Sequence, residues 1–232
     1  MLRFVSAAVV IVTFTFAGDA LCGPDWLEQG GSDCSSNDAG SSTNTAQVPT
    51  GTGSLETVSG GLGGDCGTFS DYEDVYMIRI TDPMGFSAAT TPAAGGSADF
   101  DTQLWLFSVN GFGLLANNDA SPQSYIGPTA TDNTGQTIPG PGIYFLAVSG
   151  FGNAPLGFAG QNLRSIFRFD SPTEISGPDG DAGGSPLAAW EGPGDIGGYT
   201  VRMTGVEFVP EPGSLALIAL GAGLLGRRRT RR

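Results

Sequence analysis

The chain has 232 residues, with 23 acidic and ten basic side chains, a formal net charge of −13, 38 glycines, 15 prolines and no histidine; all ten basic residues are arginine. Without histidine or lysine there can be no Ser-His-Asp or Cys-His nucleophile pair, no histidine-bound zinc, no Schiff-base lysine and no P-loop. So acidic a chain is also unsuited to nucleic acid, which is bound by releasing counterions to cationic side chains. Abundant Gly and Pro with sparse charge favour short strands and turns over helices.

In chain order, Arg3 precedes an apolar stretch from Phe4 to Ala17, and Ala17-Gly18-Asp19-Ala20 supplies small residues for cleavage. This is the pattern of a secretory signal peptide over residues 1–20. Leu21 is too bulky to make Cys22 a lipidation site. Residues 21–54 are mostly Gly, Ser, Thr, Asn and Asp and read as an irregular leader. Cys22, Cys34 and Cys66 all lie in the first third, and an exported chain defaults to a disulfide. Cys34 with Cys66 would pin the leader, although three pairings are open.

From Leu55 the pattern turns to strands. Leu55–Gly60 is short. Val75–Ile80 alternates, with Tyr76, Ile78 and Ile80 on one face and Val75, Met77 and Arg79 on the other. Phe86–Thr90 is weaker. Asp101–Val109 sets Leu104 and Leu106 against Trp105 and Phe107, then enters Asn110-Gly111, a hairpin turn where positive φ is tolerated. Phe112–Ala116 is the expected return strand, Ile143–Ser149 the most strand-like run, and Ile166–Phe169 another candidate. Residues 170–198, rich in Gly, Pro and Asp, read as a long surface loop, and Gly198–Phe208 is the last strand. The expected fold is an all-β antiparallel sandwich over residues 55–208.

The chain closes on three parts in fixed order: Val209-Pro210-Glu211-Pro212, an apolar helix-capable run 215–226 behind the N-cap Ser214, and the cluster from Arg227, Arg228 and Arg229 to Arg232. Both prolines fix φ and lack an N–H, so a strand reaching Val209 must stop. As a helix, 213–226 measures roughly 21 Å, short of the roughly 20 apolar residues of an ordinary span. The arginines would stay on the cytoplasmic side, leaving the body outside.

This tail resembles the PEP-CTERM sorting signal of bacterial surface proteins. The resemblance implies recognition by an exosortase-type membrane protease-transpeptidase, which removes the tail near the Pro-Glu-Pro during export. Until then the helix would hold the chain in the membrane. Read without the resemblance, the tail is a plain C-terminal anchor. A second resemblance covers residues 55–206. Asp74–Ile78, Ala98–Phe107, Gly140–Gly150 and Gly198–Gly205 are similar to segments of pre-peptidase C-terminal domains. These are jelly-roll-like sandwiches of secreted bacterial proteins, some of which bind calcium or polymeric substrates. The long stretch 170–198 departs from their compact form.

The remaining chemistry is that of oxygen ligands. Paired carboxylates for glycoside hydrolysis could come from Asp71, Glu73 and Asp74, or from Asp99 and Asp101. Their positions before strands read as solvated turn formers. Calcium suits such residues better, since it takes six to eight oxygens from loops. Asp99, Asp101, Asn117, Asn118 and Asp119 could converge beside the Asn110-Gly111 hairpin, with Asp179-Gly180-Asp181 a weaker cluster. The competing reading is acidic loops that keep a secreted protein soluble. Trp105 is placed in the core, whereas Trp190, in the long loop, either offers a sugar-stacking contact or folds the loop back. The chain thus reads as an exported, non-catalytic surface or extracellular-matrix protein. Alternatives are a calcium-dependent module binding extracellular polysaccharide and a carboxylate-based hydrolase.

Overall fold

The structure is a computed structural model that describes residues 25–29, 37–67, 69–120 and 122–210. The expected signal peptide, Cys22, Cys34, and the tail from Glu211 onward, with Pro212, the run 215–226 and Arg227–Arg229, lie outside the described residues.

Strands are numbered in chain order. The centre of the molecule is three long antiparallel strands, β8 (Thr102–Ser108), β11 (Gly142–Gly150) and β5 (Glu73–Ile80). β9 (Gly113–Asn117) returns from β8 through the Asn110-Gly111 turn. Gly111 takes φ 79° there, and its N–H donates to the Ser108 carbonyl at 2.8 Å. β14 (Ile175–Ser176) and β17 (Val206–Glu207) add the two edges, giving the order β14-β9-β8-β11-β5-β17.

The second layer is a sheet in the order β1 (Asp25–Leu27), β2 (Thr57–Leu62), β16 (Gly197–Thr204), β6 (Ser87–Ala89) and β10 (Tyr125–Ile126), with β7 (Ser97–Ala98) also on β16. Among the described strand pairs β1–β2 alone is parallel, with Trp26 opposite Val58. The segment expected to be an irregular leader therefore supplies an edge strand and a buried tryptophan. The chain passes from β16 to β17, and so between sheets, at Gly205. That residue sits at φ 70°, and a Cβ would lie 2.6 Å from the Asp82 carbonyl oxygen, so glycine is required at this corner.

Alternation along the central strands decides what lies on each side. Tyr76, Ile78, Ile80, Leu104, Leu106, Leu146 and Val148 face the second sheet and pack with Val58, Leu62, Tyr199, Val201 and Met203. Val75, Trp105, Phe107, Phe145 and Ala147 face the other way, and they too are buried. Their cover comes from the stretch after β11. A small sheet of β12 (Pro155–Ala159), β13 (Asn162–Ser165) and β15 (Ala189–Trp190), with Ile166, Phe167 and Ala182, lies over them. The Trp105 ring stands 5.6 Å from Phe167 and 6.4 Å from Trp190.

Two further expectations are corrected here. Ile166–Phe169 is not a strand, because the segment turns its first two side chains onto Trp105 and Phe107 while its backbone bonds to Pro155 and Gly180. The stretch 170–198 is not a free surface loop, since it returns along the outer face of the central sheet. The hairpin β12–β13, with Gly157, Gly160 and Pro155 in or beside it, carries too little alternation to be read from sequence. Cys66 is disulfide-bonded, and its partner lies outside the described residues. A short ribbon, β3 (Gly64–Asp65) with β4 (Ser70–Asp71), connects this cysteine to β5. Among the described residues no helix is long and apolar enough to cross a membrane.

Phe167 is 5% exposed and reaches Trp105 and Phe107 from irregular backbone. Phe167→Ala is expected to destabilise the chain by about 3 kcal/mol or more, measured by denaturant unfolding. A loss below about 1 kcal/mol would show that the cover is not part of the core.

Candidate functional site

Four carboxylates meet where the edge of the second sheet crosses the start of β5. Glu28 directly follows β1 and continues its pairing, its N–H donating to the Ser59 carbonyl at 2.8 Å. Asp38 lies in the bend that opens the next described segment, Asp71 ends β4, and Asp74 sits on β5 two residues before Tyr76. The period of two that places Tyr76, Ile78 and Ile80 in the core places Asp74 there as well. Asp74 is fully buried, Asp71 is 2% exposed and Glu28 5% exposed, whereas Asp38 is half-buried and opens the group toward solvent.

Backbone amides supply part of the solvation that these groups lose. Glu28 Oε1 accepts from the Ala39 N–H at 2.9 Å, Glu28 Oε2 from the Gly61 N–H at 3.1 Å, and Asp71 Oδ2 from the Gly63 N–H at 2.6 Å. Asp74 Oδ2 accepts from the Tyr199 hydroxyl, which lies 2.6 Å from the Tyr76 hydroxyl. Asp38 Oδ1, Asp71 Oδ1 and Asp74 Oδ1 are buried without a hydrogen-bond donor. One oxygen each from Glu28, Asp38 and Asp74 lies within 4.8 Å of the others, and among the described residues no other carboxylate trio is so close.

Gly60 makes room for this arrangement. It faces Tyr199 across the β2–β16 pairing, and a Cβ there would lie 2.4 Å from Glu28 Oε2, 2.7 Å from the Tyr199 hydroxyl and 2.8 Å from the Tyr76 hydroxyl. No cation among the described residues offsets the charge. Arg79 pairs with Glu207, Arg202 with Glu56, Arg168 with Asp170 and Asp179, and Arg164 donates to the Leu163 carbonyl.

The protonation equilibria follow from this. Burial, then the neighbouring Glu28 carboxyl, raises Asp38 to about 7. Burial and the Asp38 charge raise Asp71 to about 7. Burial also raises Glu28, against the pull of the Ala39 and Gly61 amides, and lifts Asp74 well above the usual carboxylate range, with the Glu28 charge adding to it. Glu73 stands apart on the opposite face of β5. Burial raises it too, while the Ser41 hydroxyl and the Asn153 amide oppose the rise.

The residues expected to hold calcium are arranged differently. Asp101 and Asp119 do approach one another, joined by Asp195; burial first, then those two charges, raises Asp101 to about 6. Asp99, however, is exposed and its N–H pairs with the Gly198 carbonyl at 3.2 Å. Asn118 is committed to Gln103, and Asn117 to the Tyr125 N–H and the Glu174 carbonyl. Asp179 pairs with Arg168. Asp71, Glu73 and Asp74 are not solvated turn formers, since all three are buried. The signal that could have marked Asp74 was its phase with Tyr76, Ile78 and Ile80; nothing local announced Glu28 or Asp38, which depend on the fold to arrive. Trp190 is no open sugar platform, because its Nε1 donates to the Ser41 carbonyl at 2.7 Å and its ring meets Trp105 edge-on.

Residues 208–232 match the family model of the PEP-CTERM protein-sorting motif. The chain thus carries a signal for export and sorting to the cell surface of the kind processed by exosortases. Comparison with curated proteins and with solved structures finds no match.

The folded chain holds protons on Asp38 and Asp71 that the unfolded chain releases near pH 3.8. The stabilisation is therefore complete below that pH and is lost as pH rises through about 7. The midpoint of thermal unfolding should fall across this window and level off above it, and Asp71→Asn should flatten the slope. A midpoint that rises between these limits would contradict the buried cluster.

Proposed function

We propose that this chain is an exported, non-catalytic surface or extracellular-matrix component, delivered by an exosortase-type enzyme that removes its tail. The observation that carries this reading is the sorting motif over residues 208–232. The end of the folded body supports it. Phe208 is 3% exposed, its N–H donates to the Gly53 carbonyl at 3.1 Å, and its ring lies so close to Gly51 that a Cβ there would stand 2.7 Å away. Val209 is half-buried and Pro210 exposed. A processing enzyme would meet a proline-stiffened segment just past Phe208, and cutting there would leave every described strand in place.

A non-catalytic role is supported by the missing histidine and lysine and by the depth of the carboxylates at 71, 73 and 74, which are at most 7% exposed and so cannot reach a polymeric substrate. The likeness to pre-peptidase C-terminal domains is supported by where its segments fall, on β5, β8, β11 and β16, the strands that build the two facing sheets.

Intact mass of the protein from the surface and medium fractions of its own host tests the sorting. Loss of the residues before about Ala20 and beyond about Pro212 is expected, and replacing Pro210 and Pro212 by alanine should leave the uncut form in the membrane fraction. A parent protein that keeps Arg227–Arg232 and stays in membranes would make the tail a simple anchor.

A further inference from the structure

We propose that the outer face of the β12–β13 hairpin docks on the Phe151–Ile196 end of a second copy of this chain, so that the folded bodies join head to tail.

The hairpin offers an uncovered apolar face. Along β12, Pro155 and Gly157 turn inward, where a Cβ on Gly157 would stand 3.0 Å from the Ser185 Cβ and 3.3 Å from that of Ala182. Alternation therefore turns Leu156 and Phe158 outward. Phe158 stands opposite Leu163 of β13, so the two side chains share that face, and they are 56% and 38% exposed. The Ser185 hydroxyl donates to the Phe158 carbonyl at 2.6 Å and holds the strand in place. At the rim stands exposed Arg164, which donates to the Leu163 carbonyl at 2.9 Å. Among the described residues it is the one arginine without a carboxylate in ion-pair range. No acidic residue occurs from position 133 to 169, so the hairpin and the sequence on either side of it are apolar and cationic in a chain of net charge −13.

The turn after β11 carries the complement. Phe151 is 53% exposed and Ile196 49%. The Phe151 N–H donates to the Asp101 carbonyl at 2.9 Å, and its carbonyl accepts from the Asp195 N–H at 3.1 Å. Both apolar side chains thus stand beside the group Asp101, Asp119 and Asp195, with exposed Asp99 against Gly197. No arginine of the described residues pairs with these carboxylates, and Asp101 Oδ1 is buried without a donor. An incoming guanidinium supplies both the missing donors and the missing charge. The two surfaces do not meet within one molecule, since Arg164 makes no ion pair there. Copies of so acidic a chain repel one another, and a contact between them is favoured where unlike patches face. A contact between two different surfaces is heterologous and repeats: each added body presents a fresh hairpin, giving an open chain or a closed ring. That is a means of assembly for a matrix component, yet the contact rests on the folded body and not on the sorting signal.

The test is sedimentation velocity of the full chain in mild detergent, with micelles in excess, so that tail and micelle are common to every chain compared. The parent should grow beyond two bodies as its concentration rises toward about 100 µM, and fall back when salt is raised from about 0.05 to about 0.5 M. One double variant, Phe158→Ser with Arg164→Glu, removes the hairpin patch. The other, Phe151→Ser with Asp195→Arg, removes the receiving end. All four side chains are exposed, so both variants should keep the parent's unfolding midpoint. Each alone should associate at least about tenfold more weakly than the parent. Mixed in equal amounts they should form pairs and stop, because the mixture holds one intact hairpin and one intact receiving end; that pairing also shows both variants to be folded. A parent that stays single at about 100 µM would overturn the proposal. So would either variant assembling like the parent, or a mixture that stays single or grows past two.

Discussion

The central sheet is apolar on both faces, and most of the architecture follows from the need to cover it twice. Leu104, Leu106, Tyr76, Ile78 and Leu146 on one side, and Trp105, Phe107, Val75 and Phe145 on the other, are all withdrawn from water. An antiparallel sheet with one wet face would alternate apolar and polar residues; β8 does not. One face is met by the second sheet in the ordinary way of a sandwich. The other has no third full sheet available, so the long stretch after β11 is bent back across it, and its glycines and prolines allow the turns. Trp105 is the focus of that outer layer, ringed by Phe167, Phe169 and Trp190.

The same alternation that builds the inner core carries a charge into it. Asp74 is in phase with the buried residues of β5, and its neighbours across the sheet junction are other carboxylates rather than arginines. Four backbone and hydroxyl donors offset part of the desolvation, but Oδ1 atoms are left over on three of the four groups. Such a cluster has two stable conditions, protonated or neutralised by a cation, and the intermediate state of several bare negative charges in a small volume is the costly one. A chain with no lysine, no histidine and only four arginines among its described residues has given up the usual internal means of neutralisation.

Strand periodicity made the inner sandwich legible. The two faces of Val75–Ile80 and of Leu104–Phe107, the turn at Asn110-Gly111 and the strand at 142–150 all stand where alternation and turn chemistry place them. The cover was not legible, because Ile166 and Phe167 act from irregular backbone and the β12–β13 hairpin is half glycine and polar residues. The carboxylate cluster was visible only in fragments. Asp71, Glu73 and Asp74 drew attention as acids in sequence, yet a position before a strand suggests solvent unless the phase of the strand is carried one step further back. Glu28 and Asp38 arrive through the parallel pairing of β1 with β2, a non-local contact that no short window of a Gly- and Ser-rich segment encodes.

Where the fold stops bears on what the tail can do. β16 leaves the second sheet at Gly205, β17 closes the edge of the central sheet against β5, and Phe208 is locked under Gly51. Among the described residues the last packing is on the central sheet, and Pro210 is exposed. A removable signal works only if its loss costs the fold nothing. Every described strand ends before Phe208, so none of them contains a residue of the Pro-Glu-Pro. The two prolines reinforce the separation, since neither can donate to a strand that would extend β17 into the signal. The boundary between body and address is therefore set by backbone chemistry as well as by recognition.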